Sequence, residues 1–139
     1  MREELTIRMQ QRFLAYADLA EILDDQLLGQ KIDVPKHKSL AEHLWCVVGA
    51  RESYARAIEQ GDWQGFSCSM HAFASQDFQA KLQSSSAAVT QAIDSVSDWN
   101  ANRLSLLATL AEHEVMHEGQ IIRHMYALER ELPGSWVWA

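Results

Sequence analysis

Residues 106–128, LLATLAEHEVMHEGQIIRHMYAL, decide how this chain folds, because they keep helical spacing over a long stretch without a proline. Apolar or histidine side chains recur three or four residues apart, which places them on one face of a helix. The pattern predicts a long helix over about residues 101–131. Its predicted inward face consists of Leu106, Leu110, His113, His117, Ile121, His124 and Leu128.

The same spacing predicts three further helices, and no stretch shows the apolar–polar alternation of a strand. One helix covers about residues 3–28, and another covers about residues 76–98. The third begins after Ser39, because Ser39 and Glu42 fit a capping box, and it ends at Gly61. The sequence therefore predicts an all-α fold, a four-helix bundle in a single domain.

The connectors suggest how the four predicted helices are arranged. The turn before residue 101 is short, so the last two helices are expected to be antiparallel. The segment 61–75 is long enough to cross the length of the bundle, which permits the second and third helices to be parallel. We therefore expect an up-down-down-up topology over residues 1–139. The serine run at residues 84–86 predicts a weak point or bend.

Composition and charge restrict the kind of partner. The chain has 139 residues, 47% of them apolar, and 19 acidic against 12 basic residues give a net charge of −7. No cluster of Lys and Arg interrupts this balance, so nucleic acid and anionic membranes are not expected partners. The N-terminus lacks the apolar core of a signal peptide, and we expect a cytoplasmic protein. Cys46 and Cys68 form no CxxC pair and are expected to be reduced thiols.

The histidines on the last helix predict a metal site. His113 and His117 are four residues apart, so both rings can reach one ion with nitrogens about 2.0–2.1 Å from it. His43, in the first turns of a well-capped helix, is the best candidate for a third ligand. A site with three protein ligands keeps a coordination position open, as catalytic zinc sites do. Water or a thiol bound there would be the reactive group.

Other readings of these histidines remain open at this point. The pair can arise by chance, and hydrogen-bonded core histidines would explain it without a metal, since an unpartnered buried imidazole costs on the order of 1–3 kcal/mol. A zinc protease also uses HExxH, but His124 is too far along the helix to be its downstream ligand. A di-iron carboxylate bundle would need a second ExxH motif.

Several further residues are candidates for supporting roles. Gln120, His124 and Tyr16 are candidates for a substrate pocket, with a hydrogen-bonded core position as the favoured alternative for His124. His37 and His71 lie in connectors and are expected to be exposed. A carboxylate that accepts the second N–H of a ligating imidazole is expected nearby. The candidates for that carboxylate are Asp18, Glu21 and Glu114.

Glycines and the C-terminal tail give two more predictions. Gly49 and Gly119 lie inside predicted helices, where glycine costs about 1 kcal/mol against alanine, so each suggests close approach of another helix or a ligand, or a local kink. The tail WVWA at residues 136–139 looks exposed and is predicted to pack across a homodimer.

Two segments resemble motifs of a known family. The first is SLAEHLWCVVGARESYARAI at residues 39–58, and the second is HEVMHEGQIIRHMYAL at residues 113–128. Together with the ending ELPGSW, they resemble the DinB-like (YfiT-type) metalloenzyme superfamily over nearly the whole chain. The sequence departs from the family pattern around the last ligand, where Met116 and Glu118 stand in place of a histidine and an arginine.

This resemblance implies an up-down-down-up four-helix bundle that binds a divalent metal ion through His43, His113 and His117. Zinc, nickel, iron and manganese all suit such a site. It also implies a homodimer and a reaction on a small-molecule substrate, as in relatives that are thiol S-transferases or isomerases and use a low-molecular-weight thiol. We expect such an enzyme, or a hydrolase. The alternative is a non-catalytic helical binding or dimerisation module with a degenerate metal site.

Overall fold

The structure is a computed structural model that describes residues 1–139, and it contains helices and no strands. The all-α prediction is therefore confirmed. Four long helices and one short helix follow one another in the order α1 Arg2–Glu21, α2 Asp25–Gly29, α3 Leu40–Gln60, α4 Ser75–Ser95 and α5 Ala101–Ala127. None of the five combines the length and apolar character that crossing a bilayer requires.

α1 is shorter than the helix predicted over residues 3–28. The chain turns at Ile22, and α2 begins after Asp24. The Asp24 carboxylate accepts a hydrogen bond from the Leu27 backbone N–H at 2.7 Å. An aspartate that satisfies a free N–H at a helix start favours that start over a helix interior. The prediction of one continuous helix is wrong because apolar spacing does not register this cap.

Both ends of α3 carry the caps that the sequence predicts. Ser39 Oγ accepts a hydrogen bond from the Glu42 N–H at 3.2 Å, and the Glu42 carboxylate accepts one from the Ser39 N–H at 2.9 Å. Gly61 follows the last turn with a φ of 85°, a left-handed conformation that glycine adopts without steric cost. These caps fix the start of α3 and therefore the position of His43 along the bundle.

The ends and interiors of α4 and α5 differ from the predictions in two places. α4 continues without a break through the serine run, whose three hydroxyls each donate to the carbonyl three residues earlier. α5 ends at Ala127 rather than near residue 131. Glu129 has a φ of 55°, and the Arg130 N–H bonds back to the Met125 carbonyl at 2.9 Å, which closes the helix.

The four long helices form a bundle in which α1 and α3 each pack against α4 and α5. One apolar cluster joins the second half of α1 to the first halves of α3 and α4 and the second half of α5. The other cluster joins the remaining halves of the same helices. The ends of α1 and α5 therefore lie at the same end of the bundle as the starts of α3 and α4. This arrangement is compatible with the up-down-down-up topology that the connector lengths predict.

The buried face of α5 is rotated from the face that the sequence predicts. Leu106, His113 and Leu128 are only partly buried, whereas two glutamates are in the core. Apolar patterning places charged residues outside, but a charge that meets an opposite charge can be buried. The buried residues of α5 are Leu107, Leu110, Glu114, His117, Glu118, Ile121, Ile122, His124 and Met125.

The segment between α3 and α4 lies along α3 instead of forming regular structure. Ser67 N–H donates to Ser53 Oγ at 3.0 Å, and the Phe66 ring occupies the space that a Cβ on Gly49 would fill. A group does approach Gly49 closely, but it is a connector side chain and not the helix or ligand that the sequence predicts. Gly119 differs, since no atom lies within 4 Å of the position of its missing Cβ.

The C-terminal tail packs against its own chain. Trp136 is 3% exposed, donates from Nε1 to the Ala15 carbonyl at 2.8 Å, and meets the Tyr16 ring edge-on. Trp138 is more exposed, and the Arg12 guanidinium lies over its ring. The prediction that this tail is exposed is therefore wrong for Trp136, because the second half of α1 covers it, and packing across a dimer stays a prediction.

Candidate metal-binding site

The three predicted ligands come together between α3 and α5. His43 lies one turn inside α3, and His113 and His117 lie one turn apart on α5. His43 and His117 are 4% and 3% exposed, while His113 is partly buried. The capping box fixes where α3 begins and therefore the position of His43 along the bundle axis. Because α3 packs against α5, His43 lies opposite His117. The sequence therefore identifies a real side-chain cluster.

The ring nitrogens of His43 and His117 face each other. Their two Nδ1 atoms are 3.0 Å apart, so one ring donates a hydrogen bond to the other. Two nitrogens bound to one tetrahedral ion at 2.0–2.1 Å would be about 3.3 Å apart. The observed separation is close to that value, but both rings would have to turn for their nitrogen lone pairs to converge on one ion.

His113 supplies a third imidazole, and one of its ring nitrogens has no hydrogen-bond partner. Its ring centroid is 4.5 Å from that of His117, and its Nδ1 is buried without a hydrogen-bond partner. Such an atom costs on the order of 1–3 kcal/mol unless something satisfies it. As the side chains stand, no group of three or more His, Cys, Asp or Glu residues is arranged to hold an ion. The donor chemistry fits a metal, and the rings would have to rotate to hold it.

Burial keeps these imidazoles neutral, which is the form that binds metal ions. Desolvation lowers the pKa of His43 to about 4 and that of His117 to about 3. Desolvation also lowers the pKa of His113. The positive charge of Lys38 adds to the lowering of all three pKa values. At neutral pH the imidazoles are therefore in the neutral form, so binding of a cation would not require a net release of protons.

A surface cleft of about 460 Å³ opens beside this cluster. His43 and Gln120 both line it, so Gln120 lies at the wall of this cleft, and its role in a substrate pocket stays a prediction. The open side of Gly119 also faces this cleft, which explains why no atom lies near its missing Cβ. The complete lining is Lys36, His37, Lys38, His43, Met116, Gly119, Gln120 and Arg123.

A second histidine pair lies next to the first. His124 is 0% exposed, and its Nδ1 is 2.7 Å from Nε2 of His37, with the two rings stacked. His124 is therefore a hydrogen-bonded core histidine, the favoured alternative, and not a cleft residue. The prediction that His37 is exposed is wrong, because this bond holds its connector against α5. His71 is exposed as predicted.

Two predicted supporting residues belong to the core instead of the site. Both carboxylate oxygens of Glu114 bind Arg51, at 2.7 and 2.8 Å, so Glu114 is not the acceptor for a ligating imidazole. Tyr16 is 0% exposed and donates to the Glu114 carbonyl at 3.0 Å, so it is no pocket residue. Desolvation and the charge of Glu114 raise the pKa of Tyr16. Glu21 lines a separate groove between α1 and α4.

Glu118, which departs from the family pattern, points away from the histidines. Its Oε2 accepts hydrogen bonds from Arg12 at 2.7 Å and from Trp138 Nε1 at 3.1 Å, while its Oε1 has no partner. Desolvation raises the pKa of Glu118, and the Arg12 guanidinium opposes that rise. The negative charge of Glu118 is thus paired with Arg12 on the α1 side, and Glu118 does not line the cleft.

The two buried arginines and the cations of the cleft are not among the residues that the sequence predicts. Arg12 and Arg51 continue the apolar spacing of α1 and α3, so their register could have indicated burial, as could that of their glutamate partners. Lys36, Lys38 and Arg123 gave no such signal, because they come from a connector and a helix far apart in the sequence.

Comparison of the chain with models of known protein families and with curated proteins gives no match.

Proposed function

We propose that the protein binds a divalent metal ion through His43, His113 and His117 and is a metal-dependent enzyme acting on a small molecule. The observation that carries this proposal is the meeting of three neutral imidazoles from two helices, two of them with Nδ1 atoms 3.0 Å apart and the third with a buried, unpartnered Nδ1. The resemblance to the DinB-like superfamily, which rests on these same residues, supports it.

The chain's own residues have distinct parts in this proposal. His43 and His117 supply two of the three nitrogens, and both side chains are buried on helices that pack together. His113, which is partly buried, is the ring that completes the site by rotating. Three protein ligands leave a coordination position for substrate. A bound divalent ion supplies Lewis-acid chemistry, lowering the pKa of water or a thiol or polarising a carbonyl.

The cleft beside the histidines determines what reaches the site. It is open to solvent, and its lining contains a single apolar side chain, that of Met116. A polar small molecule or a low-molecular-weight thiol suits such a lining better than an apolar one. We therefore assign the reaction to the thiol S-transferase, isomerase or hydrolase type, with Gln120 placed to donate or accept a hydrogen bond at the cleft wall.

A metal titration tests the proposal. Protein purified without a nickel column is treated with a chelator and titrated calorimetrically with zinc, nickel, iron(II) and manganese. We expect one ion per chain for the wild type. We also expect loss of binding in His43→Gln, His113→Gln and His117→Gln. His71→Gln is the matched control, because His71 is exposed in a connector, and its binding should equal that of the wild type.

One observation favours the alternative, a non-catalytic helical module with a degenerate metal site. The same metal titration distinguishes it from the proposed enzyme. The direct His43–His117 bond satisfies two of the three imidazoles without a metal, as a degenerate site in a non-catalytic module would. Absence of heat with every ion, or equal binding in all four variants, would favour that module. If metal binds, a screen of thiols with model electrophiles, with and without the ion, then identifies the reaction.

A further inference from the structure

The cleft beside the histidines gathers positive charge in a protein that is strongly negative. Lys36, Lys38 and Arg123 line it, together with two histidines, and no Asp or Glu lines it. The whole chain has a net charge of −7 with only 12 basic residues. Three of these residues around one opening form a local electrostatic feature that the sequence order does not show, because tertiary structure brings them together.

These three cations have no partner within the chain. All five ion pairs of the structure involve other basic residues. The basic residues in those pairs are Arg12, Lys31, Arg51, Arg103 and Arg130. Glu42 is near enough for the charge of Lys38 to lower its pKa, but it forms its ion pair with Lys31. Like charges close together repel one another, so three cations without an ion-pair partner favour an anion that enters from solvent.

A specific contact builds this arrangement. His37 lies between the two lysines in sequence, and His124 follows Arg123 directly. The 2.7 Å bond between His37 and His124 therefore ties the lysine-bearing connector to the arginine-bearing turn of α5. Lys36 has a φ of 64°, a left-handed backbone conformation that is uncommon for residues other than glycine. The connector therefore makes a tight turn at this point.

We propose that this cleft binds an oxyanion group, a carboxylate or a phosphate, on the substrate. This inference rests on the proposed function, since it places the anionic group beside His43 and hence beside the metal site. Arg123 offers a planar fork of donors that matches either group, and the two lysines add charge from the other wall. The substrate of the enzyme is then a small anionic molecule, and the two sources of the oxyanion are distinguished by experiment.

The test measures binding of two simple probes to the metal-free full-length protein. Acetate and methylphosphonate are titrated into ¹⁵N-labelled protein, and the backbone amide shifts of Gly119 and Gln120 are followed. We expect saturable shifts for at least one probe, weaker at higher ionic strength. Stronger binding of acetate indicates a carboxylate substrate, and stronger binding of methylphosphonate indicates a phosphate.

Two double variants make the test specific. Lys36→Gln/Arg123→Gln should weaken binding of the preferred probe about tenfold or more. Arg2→Gln/Arg8→Gln also removes two positive charges, but from exposed positions on α1. This variant should bind the preferred probe with an affinity within about twofold of that of the wild type. Equal weakening in both variants would show an effect of net charge alone and would overturn the proposal, as would unsaturable shifts in the wild type.

Zinc titration of the same proteins separates this inference from the proposed function. The Lys36→Gln/Arg123→Gln variant should keep one zinc per chain, because neither residue is a ligand. Zinc binding without anion binding would overturn the inference and leave the metal site standing. Anion binding in a wild type that binds no metal would overturn the proposed function and leave the anion site standing.

Discussion

The core of this bundle contains two clusters of polar side chains that differ in how they are satisfied. Glu114 and Arg51 are both 0% exposed and bind each other through two hydrogen bonds, and Arg51 also donates to the Leu82 carbonyl. The histidine cluster is less complete, since His113 Nδ1 is buried without a partner. Both clusters lie between α3 and α5, so position in the fold does not explain the difference.

The comparison indicates which buried polar groups serve structure and which are available to a ligand. A buried ion pair in which every polar side-chain atom has a hydrogen-bond partner offers little to a ligand, so it stabilises one arrangement of helices. Neutral imidazoles with unpartnered nitrogens keep a lone pair that can coordinate a cation. Glu118 is an intermediate case, because Arg12 and Trp138 share one of its oxygens while the other has no partner.

Breaking the satisfied cluster should have the largest effect. Arg51→Met leaves the Glu114 carboxylate buried without its counter-charge, and we expect the free energy of unfolding to fall by about 3–5 kcal/mol. Urea denaturation followed by circular dichroism measures it. Arg51→Met/Glu114→Leu should recover most of the loss, since it removes both charges.

The matched control for that prediction is Arg130→Met, which removes the exposed pair with Asp24 at 3.6 Å. Because water screens that pair, its loss should cost about 0–1 kcal/mol. Similar costs for the two single variants would show that the buried pair is no more important than a surface pair, and the comparison between the clusters would fail.

Filling the unsatisfied cluster should have the next largest effect. If the proposed site binds zinc, zinc at about 100 times its dissociation constant should stabilise the wild type by about 2.7 kcal/mol, because a ligand that binds only the folded state stabilises it. Thermal melts with and without zinc measure this shift. His113→Gln should lose it, while His71→Gln should keep it. An equal shift in both variants would place the metal elsewhere.

The pH dependence of the metal-free protein should follow from the lowered pKa values. His43 and His117 stay neutral in the folded protein down to a pH of about 4 and about 3 respectively, whereas in the unfolded chain they take up protons below about pH 6.5. The unfolded state then binds more protons, so the free energy of unfolding falls as pH decreases from 6.5 towards 4.

Urea titrations in the presence of a chelator test this dependence at several pH values. His117→Gln has no proton to gain at that position, so its stability should fall less steeply over the same range. A wild type and variant with parallel pH profiles would contradict the assignment of this loss of stability to the histidine cluster.

The smallest effect concerns the open side of the cleft. Gly119→Ala should stabilise the protein by about 0.5–1 kcal/mol, because a helical alanine is favoured and no atom lies within 4 Å of the new Cβ. Gly49→Ala should raise stability less than Gly119→Ala or lower it, since its Cβ would displace the Phe66 ring and lie 3.0 Å from the Cys68 Cβ. Differential scanning calorimetry of both variants gives the signs. A loss of stability in Gly119→Ala would mean that the space beside the cleft is not free.

Much of the fold and part of the site could be predicted from sequence. Helical spacing gave four long helices, and Ser39, Glu42 and Gly61 set the limits of α3, because caps act through neighbouring backbone groups. Asp24 also caps a helix start, but the apolar spacing continues across it, so the spacing alone predicts one helix where there are two. Tyr16 was placed in a pocket because spacing alone does not distinguish a core position from a cleft wall.

Sequence alone determined what depends on residues close together in the chain. It fixed helix spacing, the caps of α3, and the pair His113 and His117, since residues four apart share a helix face whatever the fold. Tertiary structure alone decided which distant groups meet. It joined Arg51 to Glu114 and placed Lys36 and Lys38 beside Arg123, because such contacts depend on how helices rotate and pack, which no local spacing specifies.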